Sequence, residues 1–353
     1  MKQKGMKKFV LRTLLALAPV IAYLALYLVV DPFHVVHPYD GQSVKPGDTL
    51  ERIPNKRFVA IEGLKYYNPT QHYNSFIFGS SLSSNFTVEA WKKHLPADAS
   101  VYHFTVGAEP LVGIRDELRY LFDHDIPVKH ALLVMEEEMY RRRTRYDEMP
   151  FVAHWDVSPD VTWVDFQRAH FNAFRDPQMF IYNWFPSLVV DQLVADAKVR
   201  TVPSGGRNEL TNEDSSYGLD TLILKDPDKY FSSMPWLVNM KPRPNPMPLS
   251  INAKAEVLLR EIAAMLREHH VDYVVIVPPI FRTQSLQPLD HALLCEIMGE
   301  EHVNDFSGDS TLINDLYSYY DGMHILTYRC TELIDRCYEK SPLQYHPHAG
   351  ANR

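Results

Sequence analysis

The chain has 353 residues, 46% of them hydrophobic, and is therefore long enough to bury a full core in one large domain or two small ones. Its formal net charge of −8 and the lack of a basic stripe beyond the N-terminus leave no electrostatic basis for binding nucleic acid. The three cysteines do not have the spacing of a zinc site.

The first predicted element is a transmembrane helix. Four lysines lie within the first eight residues, and an apolar run from Phe9 to Val30 follows, interrupted only by Arg12 and Pro19. A helix of about 22 residues spans roughly 30 Å, which matches the hydrocarbon thickness of a bilayer. The basic residues before the run place the N-terminus inside and the remainder outside. A cleaved signal peptide is the alternative, but no small-residue cleavage site follows the run, so residues 1–30 are interpreted as an uncleaved signal anchor.

Residues 31–72 are rich in proline, histidine and aspartate and are predicted to form an extended connector, with a short strand or helix at 58–64. From residue 73 onward, strand and helix patterns alternate, which is typical of a parallel sheet with helices on both faces. The predicted strands are 75–78, 101–104, 130–135, 271–277 and 302–306, and the main predicted helices are 110–122, 251–269, 289–298 and 325–338. A disordered tail is predicted over 341–353.

A long insertion, residues 140–250, separates the third predicted strand from the helix that begins at 251. Ordinary connections are far shorter, so a separate role is expected for it. It is rich in aromatic residues, namely Trp155, Trp163, Phe166, Phe171, Phe174, Phe180, Tyr182, Trp184, Phe185 and Trp236. Two interpretations stay open: a lid or carbohydrate platform, because aromatic faces stack on sugar C–H groups, or a second small hydrophobic core.

The first predicted strand ends in a glycine turn followed by small hydroxyl residues, Gly79-Ser80-Ser81-Leu82-Ser83-Ser84. A strand, a tight turn and a helix commonly present a nucleophile at the carboxyl end of a parallel strand. Ser81 is the candidate nucleophile. The alternative is a serine-rich loop whose hydroxyls cap the next helix.

Asp321 and His324 lie three residues apart, just ahead of the last predicted helix. A serine hydroxyl is a poor nucleophile until a base takes its proton, and the second ring nitrogen of that base needs an acceptor to hold it. One loop can therefore supply both the base and its orienting carboxylate. Together with the early serine turn, this spacing predicts a Ser81–His324–Asp321 triad.

These motifs resemble the sequence blocks of the GDSL/SGNH hydrolases. Gly79-Ser80-Ser81-Leu82 resembles the first block, with Ser80 where the family usually has Asp, and Asp321-x-x-His324 resembles the last. Val106-Gly107-Ala108 resembles the second block, whose glycine N–H helps to form the oxyanion hole. The third block normally contributes an Asn side chain, but here the strand runs into Glu136-Glu137-Glu138. A carboxylate there would oppose an oxyanion unless it were protonated.

The resemblance covers roughly residues 73–135 and 250–340 and is strongest to membrane-anchored SGNH proteins of bacterial envelopes, such as alginate O-acetyltransferases and the D-alanyl-transfer protein of teichoic acid modification. It implies a three-layer α/β/α domain over 73–340, outside the inner or cytoplasmic membrane and tethered by a single N-terminal helix. It also implies acyl transfer or ester hydrolysis on an envelope polysaccharide or lipid-linked polymer, without a cofactor or metal.

The resemblance implies that Ser81 attacks the acyl donor, that His324 is the base and that Asp321 orients the imidazole. It also implies that the N–H groups of Ser81 and Gly107 bind the oxyanion. A membrane-bound O-acyltransferase is the implied partner. The alternative is a catalytically degenerate SGNH domain that binds glycan or scaffolds an envelope assembly, which the missing Asn favours.

Overall fold

Five parallel strands form the sheet around which the chain folds in the computed structural model. The model describes residues 2–39, 41, 51–52, 55–142, 147–189, 192, 199–200, 207–214, 217–243, 249–283 and 286–339, so the predicted tail at 341–353 lies outside them. The strands are β1 Ser75–Gly79, β2 Val101–Thr105, β3 His130–Val134, β4 Asp272–Val277 and β5 Val303–Asp305, in the spatial order β2-β1-β3-β4-β5. The predicted parallel sheet is confirmed. Short antiparallel pairs join Glu51–Arg52 to Val199–Arg200 and Arg207–Asn208 to Glu213–Asp214.

Helices cover both faces of the sheet because successive strand residues point to opposite sides. In chain order the described helices are α1 Lys2–Val30, α2 Lys56–Gln71, α3 Val88–Lys92, α4 Leu111–Asp123, α5 Glu137–Arg141, α6 Trp163–Phe174, α7 Pro177–Trp184, α8 Tyr217–Lys225, α9 Pro227–Phe231, α10 Pro235–Val238, α11 Ala253–Glu268, α12 Pro288–Met298, α13 Ser310–Ile313 and α14 Thr327–Glu339. One hydrophobic cluster joins the sheet to α2, α4, α11 and α12, and a second joins the opposite face to α3, α8, α9, α10 and α14.

Helix α2 lies within the segment predicted to be an extended connector and includes the short strand or helix predicted at 58–64. Its N-cap is Asn55, whose side chain accepts hydrogen bonds from the backbone N–H groups of Arg57 and Phe58. Its apolar face packs on the sheet, and the Tyr102 hydroxyl donates to the Ala60 carbonyl at 2.7 Å. Residues 56–71 are therefore part of the folded domain and not a spacer, because the burial of this apolar face offsets the entropy lost when the helix forms.

One N-terminal helix, α1, is long and apolar enough to cross a membrane. Its apolar portion, Lys8–Val30, has 23 residues and a mean hydropathy of 2.3, and only 6% of the most apolar window is buried in the protein. A helix that is this apolar and this exposed is unlike the buried helix of a soluble core. This finding fits the predicted anchor.

Part of the aromatic insertion forms a second core with the end of α1 and the start of α2. Its buried members include Tyr27, Phe33, Phe58, Phe166, Phe174, Met179 and Tyr182. Other aromatic side chains of the insertion are exposed, among them Trp163, Phe185 and Trp236. The core interpretation thus holds for α6 and α7, whereas the exposed rings remain available for contacts outside the chain.

Candidate active site

The sheet order places a crevice between the carboxyl ends of β1 and β3, where the direction of winding reverses. In doubly wound α/β folds, ligands bind at this switch point. The register pairs Gly79 with Thr105 on one side and with Val134 on the other. Ser81, Gly107 and Glu136 each lie two residues beyond these paired positions, so the topology brings three distant parts of the chain to one edge.

Gly79 is required for the turn that presents Ser81. A Cβ at this position would lie 2.7 Å from the Ser83 Cβ and 2.9 Å from the Val134 carbonyl oxygen, closer than real Cβ atoms approach. Ser80 then caps the short 3₁₀ turn Ser81–Ser83 by accepting a hydrogen bond from the Leu82 N–H. The backbone leaves the strand sharply, and the Ser81 side chain is left half-buried at the edge of the sheet.

A continuous chain of hydrogen bonds joins Ser81, His324 and Asp321. The Ser81 Oγ lies 2.9 Å from His324 Nε2, and His324 Nδ1 lies 2.7 Å from Asp321 Oδ2. Because a carboxylate only accepts, Nδ1 carries the proton and Nε2 accepts from the serine hydroxyl. The Tyr320 ring stacks on the imidazole with centroids 5.2 Å apart. This is the arrangement a base needs to take a proton from serine.

The Asp321 carboxylate is held by its own loop. Its Oδ1 accepts from the backbone N–H groups of Met323 at 2.7 Å and His324 at 2.8 Å. Burial alone would raise the pKa of Asp321, but the hydrogen bond and charge of His324, with these backbone donors, outweigh burial and lower it. The carboxylate therefore stays ionised beside the imidazole.

A second serine–histidine pair, formed by Ser83 and His103, lies in the same region but differs from Ser81 and His324 in its surroundings. His103 Nε2 lies 3.1 Å from the Ser83 Oγ, but both side chains are completely buried. Burial lowers the pKa of His103 to about 3, and its Nδ1 has no hydrogen-bond partner among the described residues. This pair lacks both an orienting carboxylate and access to substrate, so its role is structural.

Glu136 occupies the place beside Ser81 that the resemblance assigns to an Asn. It is 6% exposed, and burial raises its pKa above the usual range even though the Ser80 hydroxyl bonds to it and His324 lies nearby. Its Oε2 is buried without a hydrogen-bond partner among the described residues. Burial therefore disfavours the ionised form of this carboxyl group.

The Gly107 loop is fixed from behind by Arg57 of α2. The Arg57 guanidinium donates to the carbonyls of Gly107 and Ala108 at 3.3 and 3.4 Å and forms an ion pair with Glu109 at 2.7 Å. Ala108 has a φ of 53°, a strained backbone conformation for a residue with a Cβ. Glu117 is also buried nearby, and burial, together with the charge of Glu109, raises its pKa.

Replacing Arg57 with Met is expected to destabilise the protein by about 3–5 kcal/mol, because it removes the cation that pairs with the buried Glu109 carboxylate. The measurement is the unfolding midpoint in detergent. Lys129→Met, which removes the exposed ion pair with Asp98, is the matched control and should change little. Equal midpoints for wild type and Arg57→Met would contradict this role.

A cavity of about 440 Å³ opens at this edge, a size suited to a small ligand. Ser81, Ala108, Glu136, Ile280 and Met323 line it together with a charged rim of Glu137, Glu138, Arg141, Arg142 and Arg243. On the rim, Arg142 pairs with Glu138 at 3.2 Å and Arg141 pairs with Glu137. Ser81 thus lines a space large enough for an acyl ester.

Among the described residues, one group has the composition of a metal site, namely Glu62, His154 and Asp156. The Lys65 ammonium group forms ion pairs with both carboxylates, at 2.8 Å for Glu62. This internal cation already supplies the positive charge that the acidic groups require. No metal is assigned there.

The structure brings together Ser81, His324 and Asp321 from opposite ends of the sequence, and it places Gly107 in the loop whose next residue lines the cavity. Sequence reasoning missed Arg57, because nothing in a run that looked like a connector marked it as a partner of that loop. The sequence matches no protein-family model and no curated protein at a significant level. The resemblance therefore rests on the motifs themselves.

Proposed function

We propose that the chain is a membrane-anchored SGNH-type acyltransferase or esterase that works outside the membrane on an envelope polysaccharide or lipid-linked polymer. The observation that carries the proposal is the hydrogen-bonded relay from Ser81 Oγ through His324 to Asp321. A serine, an imidazole and a carboxylate in this order are the parts of a nucleophilic triad.

In the proposed reaction, Ser81 Oγ forms a bond to the acyl carbonyl carbon while its proton moves to His324 Nε2. Asp321 stabilises the resulting imidazolium. The tetrahedral intermediate collapses, the bond to the leaving group breaks, and His324 returns the proton to that group. A sugar hydroxyl or water then repeats the sequence on the acyl-serine, which completes transfer or hydrolysis without a cofactor.

In this scheme, Glu136 takes the part of the missing Asn in its protonated form. A protonated carboxyl group can donate a hydrogen bond to the oxyanion, beside the backbone N–H groups of Ser81 and Gly107. The burial of Glu136, its raised pKa and the unpartnered Oε2 support this assignment. The departure from the family pattern would then replace one neutral donor with another.

The pH dependence of acylation tests this role. As pH rises through the raised pKa of Glu136, the donor becomes an anion that repels the oxyanion, so acylation is expected to fall. Glu136→Gln keeps a neutral donor and should lose that descending limb. The readout is the p-nitrophenolate burst from p-nitrophenyl acetate against pH, with Ser81→Ala as the background. The same limb in wild type and Glu136→Gln would exclude the assignment.

The membrane part of the proposal rests on α1, whose basic N-terminal flank favours an inside N-terminus. Tethering holds the site near a membrane-bound O-acyltransferase that could deliver the acyl group, and near a growing envelope polymer that could accept it. The competing proposal, a degenerate domain that binds glycan or scaffolds an assembly, accounts for the missing Asn but gives no reason for the bonded triad.

A fluorophosphonate probe separates these two proposals, because it reacts only with an activated serine. The full-length wild type should be labelled at Ser81, and Ser81→Ala should not be labelled. Ser233→Ala, which removes an exposed hydroxyl bonded to the Tyr230 carbonyl, should be labelled like the wild type. Absence of labelling in the wild type would favour the binding protein.

A further inference from the structure

The outer end of α1 is packed against α6 of the insertion. The Tyr23 ring stacks on Phe174 with centroids 5.2 Å apart, and its hydroxyl donates to the Phe174 carbonyl at 3.2 Å. One turn further along, the Tyr27 hydroxyl donates to Gln167 Oε1 at 2.7 Å, and this tyrosine is 3% exposed. The globular part is therefore seated directly on the apolar helix.

These contacts fix the level of α6 along α1. Tyr23 lies seven residues before Val30, the last residue of the apolar portion, which is about 10 Å along the helix axis. Gln167 meets α1 near Tyr27 and Phe174 meets it near Tyr23, so α6 runs antiparallel to α1, toward the membrane. The chain leaves α6 at a depth within the apolar span.

The segment that follows has the composition of an interfacial element. From Pro177 to Val189 it contains no Asp, Glu, Lys or Arg. Met179 and Tyr182 of α7 are buried in the second core, whereas Phe185 is 62% and Leu188 72% exposed. Uncharged, aromatic-rich segments of this kind favour the boundary between headgroups and acyl chains.

We infer that α7 and the turn through Leu188 lie in the outer interfacial layer of the same bilayer that α1 spans. We choose lipid as the partner of this surface because the exposed side chains of Phe185 and Leu188 lie at the same level as the apolar helix α1. The second core, which contains the buried residues of α7, packs on that helix. The hydroxyl of Tyr23 also satisfies a carbonyl at the end of α6, as backbone groups at membrane depth require. The inference rests on α1 being an anchor, which is part of the proposed function.

The packing of α6 and α7 on α1 also places the proposed active site on the side of the domain that faces the membrane. Helix α2 begins in the second core with Phe58, and its neighbouring residue Arg57 holds the Gly107 loop. Phe151 lies against Gly107, and the next residue, Val152, is buried in the second core. The carboxyl edge of the sheet is thus on the side of the domain that faces the bilayer, where a lipid-linked substrate would arrive.

The test uses the full-length protein in phosphatidylcholine–phosphatidylglycerol vesicles with an environment-sensitive fluorophore on a single introduced cysteine. All variants carry Cys295→Ser, because Cys330 and Cys337 are buried and Cys295 is not. The probe position is Leu188→Cys. The control is Leu224→Cys, 58% exposed on α8 across the sheet, and Leu17→Cys reports insertion of α1. For the labels at 188 and 224 the quenchers are lipids with a nitroxide on the headgroup or high on the acyl chain, and for the label at 17, near the middle of the span, a lipid with a nitroxide near the end of the acyl chain.

The label at residue 188 should be quenched several-fold more by these lipids than the label at 224. Quenching of the label at residue 17, without more quenching at residue 188 than at 224, would support α1 as an anchor. It would overturn the inference that α7 lies in the interfacial layer. A blue-shifted label at 188 that lipid does not quench would indicate a protein partner on this face and also overturn the inference. No quenching at residue 17 would contradict both the membrane anchor and the interfacial position of α7. Fluorophosphonate labelling of Ser81 would still test the triad separately.

Discussion

His324→Ala is expected to reduce the rate of acylation by an activated ester by about 10⁶-fold. Nε2 of this imidazole, 2.9 Å from the Ser81 Oγ, is the acceptor that the structure offers for the serine proton. Without it, the hydroxyl attacks with its proton in place, which is slow at neutral pH. The measurement is the pre-steady-state burst of p-nitrophenolate from p-nitrophenyl acetate.

His291→Ala is the matched control for this prediction. Its Nδ1 lies 3.0 Å from Asp305 Oδ2, so it is also a histidine held by an aspartate, but its Nε2 lies 3.5 Å from the Cys295 Sγ instead of a serine hydroxyl. This variant should keep the wild-type burst. A burst that survives in His324→Ala would mean that another group deprotonates Ser81, and the triad would be wrong.

Asp321→Asn is expected to lower the acylation rate by about 10⁴-fold while leaving the fold intact. The amide oxygen of Asn can still accept from the N–H groups of Met323 and His324, as Asp321 Oδ1 does. Its NH₂ group, however, would donate to Nδ1 and move the ring proton to Nε2. The imidazole would then face Ser81 as a donor and could not take its proton.

The reaction rate and the unfolding midpoint should be measured together for Asp321→Asn. A large loss of rate with only a small fall in the midpoint is the predicted combination, because the fold is kept while the ring tautomer changes and the stabilising negative charge is lost. Asp305→Asn repeats the same chemical change at the half-buried pair with His291 and should leave the rate unchanged. A near-normal rate in Asp321→Asn would show that the carboxylate does not orient the base.

The stability of the fold should also reflect the lowered pKa of Asp321. A carboxyl whose folded-state pKa lies below its unfolded value stabilises the protein above the unfolded pKa, and that contribution disappears as pH falls through the folded pKa. Wild type should therefore lose more stability on acidification than Asp321→Asn does. Parallel loss in the two proteins, followed by thermal unfolding across the acid range, would contradict this coupling.

The parallel sheet could be predicted because its strands are short apolar runs that are buried on both faces, and such runs stand out in a sequence. Within helix α2 only a short strand or helix at 58–64 was predicted, and its full length was not, since Gly63 and Pro69 interrupt the helical pattern and its apolar face packs on β2, where the Tyr102 hydroxyl bonds to the Ala60 carbonyl. The bounds of α11, Ala253–Glu268, differ little from the prediction because its apolar residues recur at helical spacing.

The proximity of Ser81 to His324 was a prediction from motif order, and the parallel topology is what makes it possible. The state of Glu136 was not predictable, since its burial depends on neighbours from other strands and its pKa follows that burial. The seating of the insertion on α1 likewise arises from contacts between residues far apart in the sequence, such as Tyr27 and Gln167.

The most direct test of the proposed chemistry is the intact mass of the full-length protein after exposure to p-nitrophenyl acetate. Wild type should gain a single acetyl group that peptide mapping assigns to Ser81, and neither Ser81→Ala nor His324→Ala should gain it. If wild type acquires no adduct and all three proteins release p-nitrophenolate equally, the proposed ester chemistry is contradicted.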